Sequence, residues 1–174
     1  MKFTIEKKLL EITKNIHSLF KQHGYTLSIA ESCTGGLISH LITSLPGASS
    51  FFGAGVVSYS AESKKTLLSV SPACIARYGV VSEQTARQMA EKVRGRMKTD
   101  FSLATTGNLG PDVLEGKQCG LIYIAASKRG ASAALELRLK GSRRKIKEEA
   151  ALLALQFLLG FMEKGVAQMK KSLR

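Results

Sequence analysis

The stretch "YTLSIAESCTGGLISHLITSL" (Tyr25–Leu45) contains, in order, a strand pattern, a polar turn and a helix pattern. Its first eight residues form a short apolar run typical of a buried strand, and the residues after Gly36 have helical periodicity. The turn between them holds a carboxylate, two hydroxyls and a thiol in Glu31–Thr34, followed by two glycines. A buried strand that leads into a helix through such a turn is typical of layered α/β proteins.

Helix and strand patterns alternate along the rest of the chain in the same way. The predicted helices cover residues 4–23, 35–45, 61–70, 83–97 and 142–163, with a further helical turn that begins at Pro72. The further predicted strands cover residues 55–60, 101–107, 120–127 and 133–141, the last with the alternation of a half-exposed edge strand. These patterns predict a single α/β domain over residues 1–174, with about five strands and a basic tail after about residue 164.

The last predicted helix is unusually apolar. One face carries a stripe formed by Ile146, Ala150, Leu153, Phe157 and Phe161. Its second half, "ALLALQFLLGFM", is apolar nearly all round, so this helix is either deeply buried or covers a partner subunit. We therefore expect a homo-oligomer, a dimer or larger.

The chain is strongly basic, with 26 Lys and Arg residues against 13 Asp and Glu residues and a net charge of +13. Such a surface attracts anions, including phosphorylated small molecules. The basic residues are spread along the chain, and the chain has no Trp and four Tyr residues. Nucleic-acid-binding proteins usually cluster their charge with exposed aromatic side chains, so a nucleic-acid partner is not expected.

The cysteines and the apolar runs of the sequence indicate the cellular compartment of the protein. Cys33, Cys74 and Cys119 are widely separated and odd in number, which favours reduced thiols over a disulfide framework. No run is apolar enough to cross a membrane, and the N-terminal residues lack the apolar centre of a signal peptide. We expect a cytoplasmic protein without a membrane partner. No Cys and His spacing matches a zinc site, so no metal is expected.

Three predicted strands end in the polar loops "ESCTGG", "SYSAESK" and "TTGNLGPD". Ligands of open α/β sheets bind beyond the carboxyl ends of the strands, so these loops predict a pocket. Ser32 in the first loop is either a nucleophile or the cap of the following helix. Cys33 is the alternative nucleophile, but a thiolate site needs a nearby base, and we interpret Cys33 as a packing residue.

The candidate base is a lysine because the three histidines fall in or beside predicted helices and outside these loops. Lys64 lies near the start of the helix after the second loop, where the helix dipole disfavours a positive charge. A lysine acts as a base only when its pKa is lowered. Tyr59 could relay a proton or hold the lysine, whereas Lys65 points elsewhere. This stretch alone favours an ordinary surface lysine at position 64.

Four segments, in order along the chain, resemble the CinA C-terminal domain family: "AESCTGGLISHLI", "LPGASSFFGAGVVSYSAESKKTLLSV", "YGVVSEQTARQMAE" and "TTGNLGPD". The resemblance extends from about Leu9 to Glu163. It implies a three-layer α/β/α sandwich around a mixed, mostly parallel sheet. Some members have an additional N-terminal domain, for which a chain of this length has no room. Stand-alone members are nicotinamide-nucleotide amidohydrolases, which release ammonia from nicotinamide mononucleotide.

The resemblance also implies roles for individual residues. Ser32 corresponds to the nucleophile, Lys64 to its base and Tyr59 to a nearby tyrosine, and the N–H groups around Thr34, Gly35 and Gly36 would stabilise the oxyanion. Arg143 is the leading candidate for binding the substrate phosphate, and no cofactor or metal is implied. The substrate-binding residues implied in this way are Glu31, Thr34, Gly35, Gly36, Thr106, Gly107, Asn108 and Arg143.

Two segments depart from the family pattern. "TTGNLGPDVLEGKQCG" has Asn108 and Leu109 in place of a small apolar pair, and it lacks a family proline. "GSRRKIK" has Ser142 in place of an aspartate, and Lys147 where a second arginine is common. The predicted catalytic residues are therefore retained, while the rim that would bind the substrate is altered. This leaves open a nucleotide-binding or regulatory module without catalysis. A nucleic-acid-binding accessory, which the positive charge suggests, is the less favoured alternative.

Overall fold

A computed structural model of the protein describes residues 4–172, with side chains as far as residue 163. Helices and strands alternate as the sequence predicts. The strands are β1 (Leu27–Glu31), β2 (Phe52–Val57), β3 (Phe101–Gly107), β4 (Leu121–Lys128) and β5 (Ala131–Arg138). The helices are α1 (Ile5–His23), α2 (Leu37–Thr43), α3 (Ala61–Leu68), α4 (Pro72–Tyr78), α5 (Glu83–Met97) and α6 (Arg143–Ser172).

The described residues form a mixed five-stranded sheet with the order β2-β1-β3-β4-β5. β1 pairs in parallel with β2 and β3, while β4 is antiparallel to β3 and β5 is antiparallel to β4. Four of these strands therefore share one direction and β4 opposes them. The carboxyl ends of β1, β2 and β3 lie at the same end of the sheet, where the three predicted loops begin.

A hydrophobic cluster lies on each face of the sheet, which gives the predicted three layers. On one face, Leu27, Ile29 and Leu103 pack with α1, α2 and α6. On the other face, the sheet presents alanines to α5, and these small side chains allow the helix to pack closely. The alanines are Ala30, Ala104 and Ala125. β1 lies between β2 and β3 and is buried along its whole length, which explains its nearly continuous apolar run.

The helix ends follow their local sequence signals. α1 begins after Thr4, whose side chain accepts from the Lys7 N–H, and ends at Gly24 with φ 64°. α3 begins with a capping box in which Ser60 and Ser63 each bond the other's backbone N–H. The predicted strand over residues 55–60 is shifted, because β2 starts at Phe52 and ends at Val57, so that residues 58–60 connect the strand to α3.

α6 is longer than predicted and its buried face is broader. It continues to Ser172 rather than ending near Glu163, and the predicted basic tail lies beyond the described side chains. Leu153, Phe157 and Phe161 of the predicted stripe are only partly buried. The fully or nearly buried α6 residues are Ile146, Ala150, Ala151, Leu152, Ala154, Leu155, Leu158 and Met162. Contacts with α1, α2, β3 and β4 account for this apolar surface within one chain. Among the described residues, no helix is long and apolar enough to cross a membrane.

Candidate active site

The turn after β1 is held by Glu31 rather than by a serine cap. The buried Glu31 carboxylate accepts from the N–H groups of Gly36, Ile38 and Ser39 at 3.0, 3.1 and 2.8 Å, and from the Ser39 hydroxyl at 2.7 Å. It therefore satisfies the free N–H groups at the start of α2. Ser32 is not the cap of this helix, because the N-cap is Gly36 and Glu31 supplies the acceptors.

Two residues predicted to bind substrate lie beneath this turn instead. Glu31 is fully buried and its oxygens are engaged in the contacts just described. Thr34 is also fully buried, and its hydroxyl pairs with that of Thr105 at 2.7 Å. These two side chains shape the turn and do not line the pocket, and a contact of either residue with substrate stays a prediction.

Ser32 and Lys64, 32 positions apart in the sequence, are in hydrogen-bond contact. Lys64 Nζ lies 2.8 Å from Ser32 Oγ and 2.8 Å from the carbonyl oxygen of Ser58. The Lys64 side chain is 1 % exposed, so it is not an ordinary surface lysine. Burial lowers the pKa of Lys64 from 10.5 to about 8, which favours the neutral amine. Lys65, in contrast, forms a surface ion pair with Glu62 at 2.5 Å.

The other candidate nucleophile and bases are arranged differently. Burial raises the pKa of the Cys33 thiol to about 12, so it remains protonated, as expected for a packing residue. His17 bonds the Ile42 carbonyl oxygen at 2.8 Å, His23 stacks on Tyr25, and His40 lies at the end of α2. None of these three histidines lines the pocket beside Ser32.

Ser32 opens into a small pocket of about 180 Å³. Five residues that the sequence predicted for the site line this pocket, namely Ser32, Tyr59, Gly107, Asn108 and Arg143. Cys33 also contributes, together with three residues that the sequence analysis did not assign, namely Leu109, Asp112 and Leu114. These three lie in the segment recognised as departing from the family pattern, and that departure was the available signal.

Tyr59 belongs to the rim of the pocket. It is 60 % exposed, and its hydroxyl accepts from Arg143 Nη2 at 2.7 Å. The same guanidinium donates to the Gly110 carbonyl oxygen at 2.6 Å through Nη1. The described contacts of the Lys64 amine are with Ser32 and the Ser58 carbonyl and not with Tyr59, whose role as a proton relay or in holding Lys64 stays a prediction.

The third loop is organised by its own polar side chains. The Asn108 amide donates to the carbonyl oxygens of Leu114 and Lys117 and accepts from the Leu114 N–H, each at 3.1 Å. Asn108 therefore lines the pocket while its polar atoms close the loop. Thr106 is buried and donates to the Val80 carbonyl oxygen at 2.7 Å, so its hydroxyl is engaged within the protein, and its contact with substrate stays a prediction.

The N–H groups available to an oxyanion differ in part from those expected. The Gly35 N–H donates to the Ser32 carbonyl oxygen at 3.1 Å, and the Gly36 N–H donates to Glu31. Both are therefore engaged, and neither glycine lines the pocket. Among the described residues, the backbone N–H groups of Cys33 and Thr34 donate to no backbone carbonyl oxygen. They are the better candidates for stabilising negative charge beside Ser32.

Comparison with known sequences identifies the family. The sequence model of the CinA C-terminal domain matches residues 9–162. The chain belongs to the CinA C-terminal domain family. A relative from Acetivibrio thermocellus, named as a competence-damage inducible protein, is 44 % identical over 140 residues, or 80 % of this chain. A CinA-like protein from Acidobacterium capsulatum is 43 % identical over 139 residues, or 79 % of this chain. Each alignment spans 34 % of the relative, so this CinA domain covers about a third of these proteins' length.

Solved structures of the CinA superfamily share the fold. The competence/damage inducible protein CihA from Agrobacterium tumefaciens is similar, with a TM-score of 0.85 and 33 % sequence identity. That match covers 88 % of this chain and 94 % of CihA. A CinA superfamily protein from Escherichia coli gives a TM-score of 0.86 and 29 % identity, covering 91 % of this chain and 93 % of that one. These names describe induction and not a reaction.

Proposed function

We propose that this CinA domain is an amidohydrolase that converts nicotinamide mononucleotide to nicotinic acid mononucleotide and ammonia. Ser32 is the nucleophile and Lys64 is its base. The 2.8 Å contact between Lys64 Nζ and Ser32 Oγ carries the proposal. A serine hydroxyl is a weak nucleophile at neutral pH and needs a proton acceptor within hydrogen-bond reach. Lys64 meets both requirements, because it touches the hydroxyl and its pKa is lowered to about 8 by burial.

The reaction proceeds in two stages. Neutral Lys64 takes the proton of the Ser32 hydroxyl as the oxygen attacks the carboxamide carbon. The N–H groups of Cys33 and Thr34 stabilise the negative oxygen of the tetrahedral intermediate. The protonated lysine then gives its proton to the leaving nitrogen, so that ammonia departs and an ester to Ser32 remains. Water hydrolyses this ester, with Lys64 again as the base, and frees the carboxylic acid.

Pocket size and charge suggest how the nucleotide binds. A pocket of about 180 Å³ is smaller than most sites for whole drug-sized ligands, and it suits the carboxamide-bearing ring alone. The phosphate would then lie outside, near the rim, where Arg143 is the candidate partner. In the free protein, the Arg143 guanidinium donates to two neutral oxygens, those of Tyr59 and Gly110. A hydrogen bond to a phosphate is charge-assisted and therefore stronger, so replacing the Tyr59 hydroxyl by the phosphate as the acceptor is favourable.

A second candidate is a nucleotide-binding module without turnover. Arg143 and Asn108, which the resemblance assigns to the substrate, both use their polar atoms within the protein. Binding of nicotinamide mononucleotide without release of ammonia over a range of pH would favour this candidate over the amidohydrolase.

Ammonia release from a panel of pyridine nucleotides and simple amides tests the proposal. We expect turnover of nicotinamide mononucleotide by the wild type. Ser32→Ala and Lys64→Met should each reduce kcat at least a thousandfold, as for other paired nucleophiles and bases. Lys65→Met is the matched control and should retain activity, because Lys65 is paired with Glu62 at the surface. Normal turnover by Lys64→Met would contradict the assignment of the base.

A further inference from the structure

Ser58 lies directly after β2 and beside the serine–lysine pair. It is fully buried, its N–H donates to the Glu31 carbonyl oxygen at 2.8 Å, and its own carbonyl oxygen accepts from Lys64 Nζ. The Ser58 hydroxyl, unlike these two backbone groups, makes no hydrogen bond to any described residue. Among the residues whose side chains the structure describes, Ser58 Oγ is the one buried side-chain nitrogen or oxygen without a hydrogen-bond partner. Such a group costs stability and is rare in folded proteins, so it requires an explanation.

During the proposed reaction, the Lys64 side chain lacks a hydrogen-bond acceptor. A neutral amine has two N–H groups and a lone pair, whereas the ammonium has three N–H groups and no acceptor. The resting contacts of Nζ are with two oxygens, Ser32 Oγ and the Ser58 carbonyl. After proton transfer, three donors face these two acceptors, and the Ser32 oxygen becomes a weakly accepting ester oxygen. At 1 % exposure, the ammonium cannot turn to bulk water.

We propose that the Ser58 hydroxyl is a positioning group that accepts a hydrogen bond from the Lys64 ammonium formed during the reaction. A change of rotamer about the Cα–Cβ bond of Ser58 moves the hydroxyl while its carbonyl stays bonded to Lys64. The proton passes from Ser32 Oγ to Lys64 Nζ and then to the leaving ammonia, and Ser58 keeps its own proton throughout. This role in turnover rests on the amidohydrolase function proposed above.

Other groups also act on the Lys64 charge and must stay constant in any test. The Cys33 thiol of the turn after β1 and the Glu115 carboxylate of the third loop both interact electrostatically with Lys64. Glu31 lies beneath the same turn and interacts with Cys33. Replacing Ser58 by alanine changes none of these charges. A change in the titration of Lys64 in that variant therefore reports the lost hydrogen bond.

The direct experiment is an NMR titration of the full chain with ¹³C-labelled lysine side chains, in which Lys64→Met assigns the Lys64 signal. Ser58→Ala should lower the Lys64 midpoint by about one pH unit, since it removes an acceptor from the charged form. Thr66→Ala is the control and should leave the midpoint in place, because the exposed Thr66 hydroxyl bonds only the Glu62 carbonyl. An unchanged or raised midpoint in Ser58→Ala overturns the inference. Should that variant fail to fold, Ser58→Cys carries the same test, since a thiol is a poor acceptor.

The activity of the same variants separates this inference from the proposed function. If the wild type releases ammonia, Ser58→Ala should lower kcat about tenfold and move the pH–rate midpoint down. KM should change little, because Ser58 does not line the pocket. A loss of kcat with an unmoved midpoint overturns the positioning role. If the wild type releases no ammonia, the amidohydrolase proposal fails, while the NMR titration still decides whether Ser58 supports the ammonium.

Discussion

At the scale of single residues, the main electrostatic feature is a lysine amine removed from water without a carboxylate partner. Lys64 bonds a hydroxyl and a backbone carbonyl, and burial lowers its pKa to about 8. A neutral group costs less to bury than an ammonium, so Lys64 has a larger neutral fraction near physiological pH than an exposed lysine. The same burial predicts two distinct pH dependences, one of activity and one of stability.

The rate should depend on the fraction of neutral Lys64. Below a pH of about 8 the amine is protonated and cannot accept the proton of Ser32. We expect kcat/KM for nicotinamide mononucleotide to rise roughly tenfold per pH unit below that value and to level above it. A pH series of initial rates checks this. A rate that falls between pH 7 and 8 would contradict a lysine base.

The stability of the fold should depend on pH over a higher pH range than the rate does. Lys64 binds a proton more weakly in the folded chain, with a pKa of about 8, than in the unfolded chain, with a pKa of 10.5. The unfolded state therefore holds more protons between these values, and the free energy of unfolding rises with pH there. Relative to Lys64→Met, the wild type should gain about 3 kcal/mol from pH 8 to pH 10.5, measured by urea unfolding. Lys65→Met, compared in the same way, should show no such slope.

The sequence could predict Ser32 and Lys64, but not every partner of the lysine. A hydroxyl after a buried strand and a lysine in the first turn of the helix after the next strand are local patterns, and parallel strands bring such positions together. The Ser58 carbonyl is a backbone group, and any residue type supplies one. No residue pattern could therefore indicate it, and the sequence suggested only that Tyr59 relays a proton or holds the lysine.

At the scale of elements, the start of α3 controls the position of the Lys64 amine. Lys64 is the fourth residue of this helix, directly after the capping box of Ser60 and Ser63. Fraying of that turn would release the segment from which the amine extends. Helix capping therefore links the local stability of α3 to the geometry of the site.

Ser60→Ala should weaken both stability and turnover. The lost cap costs about 1 kcal/mol of stability, and the looser first turn should lower kcat several-fold. Ser71→Ala is a matched control, because Ser71 caps α4, away from the pair, through the Cys74 N–H. It should destabilise the fold comparably and leave kcat unchanged. Thermal unfolding and initial rates measure the two effects, and equal activity losses in both variants would contradict the link.

The carboxylate beneath α2 is a second element-scale feature. Glu31 accepts four hydrogen bonds at the start of that helix and is fully buried. Glu31→Gln keeps the shape but replaces one accepting oxygen by an NH₂ group that faces N–H donors. We expect a loss of about 2 kcal/mol or more in the free energy of unfolding by urea. A loss below about 0.5 kcal/mol would show that the turn relaxes without the carboxylate.

At the scale of the whole molecule, the layered architecture followed from hydrophobic periodicity because each face of the sheet is covered by helices. The conformation of the pocket rim, in contrast, could not be predicted from hydrophobic periodicity. Leu109 and Leu114 lie in a segment without periodicity, and Asn108 fixes that segment through contacts six and nine residues away. Loop conformations of this kind depend on individual polar contacts, which a pattern of apolar residues does not encode.

The assembly state remains a prediction at this scale. The described apolar face of α6 is largely covered within one chain, whereas Leu10 of α1 and Leu135 of β5 are exposed. We still expect a homo-oligomer, with a mass in solution at least twice 18.8 kDa by light scattering. A single species at the monomer mass would contradict this expectation and would show that the apolar residues of α6 serve only to pack the core of its own chain.

The third loop is fastened to the protein by different contacts from those that hold the serine and the lysine. Lys117 donates to the carbonyl oxygens of Tyr78 and Val81 and to the Glu115 carboxylate, and Glu115 in turn accepts from Val80 and Val81. Ser32 is instead held by the Thr105 carbonyl oxygen of β3, and Lys64 extends from α3 to the Ser58 carbonyl oxygen after β2. A replacement loop that keeps these anchors and the Glu115 carboxylate, which acts on the charge of Lys64, would therefore reshape the pocket beside Ser32 and leave the Lys64–Ser32 contact in place. On the proposed function, such an exchange would redirect the amidohydrolase to other amides.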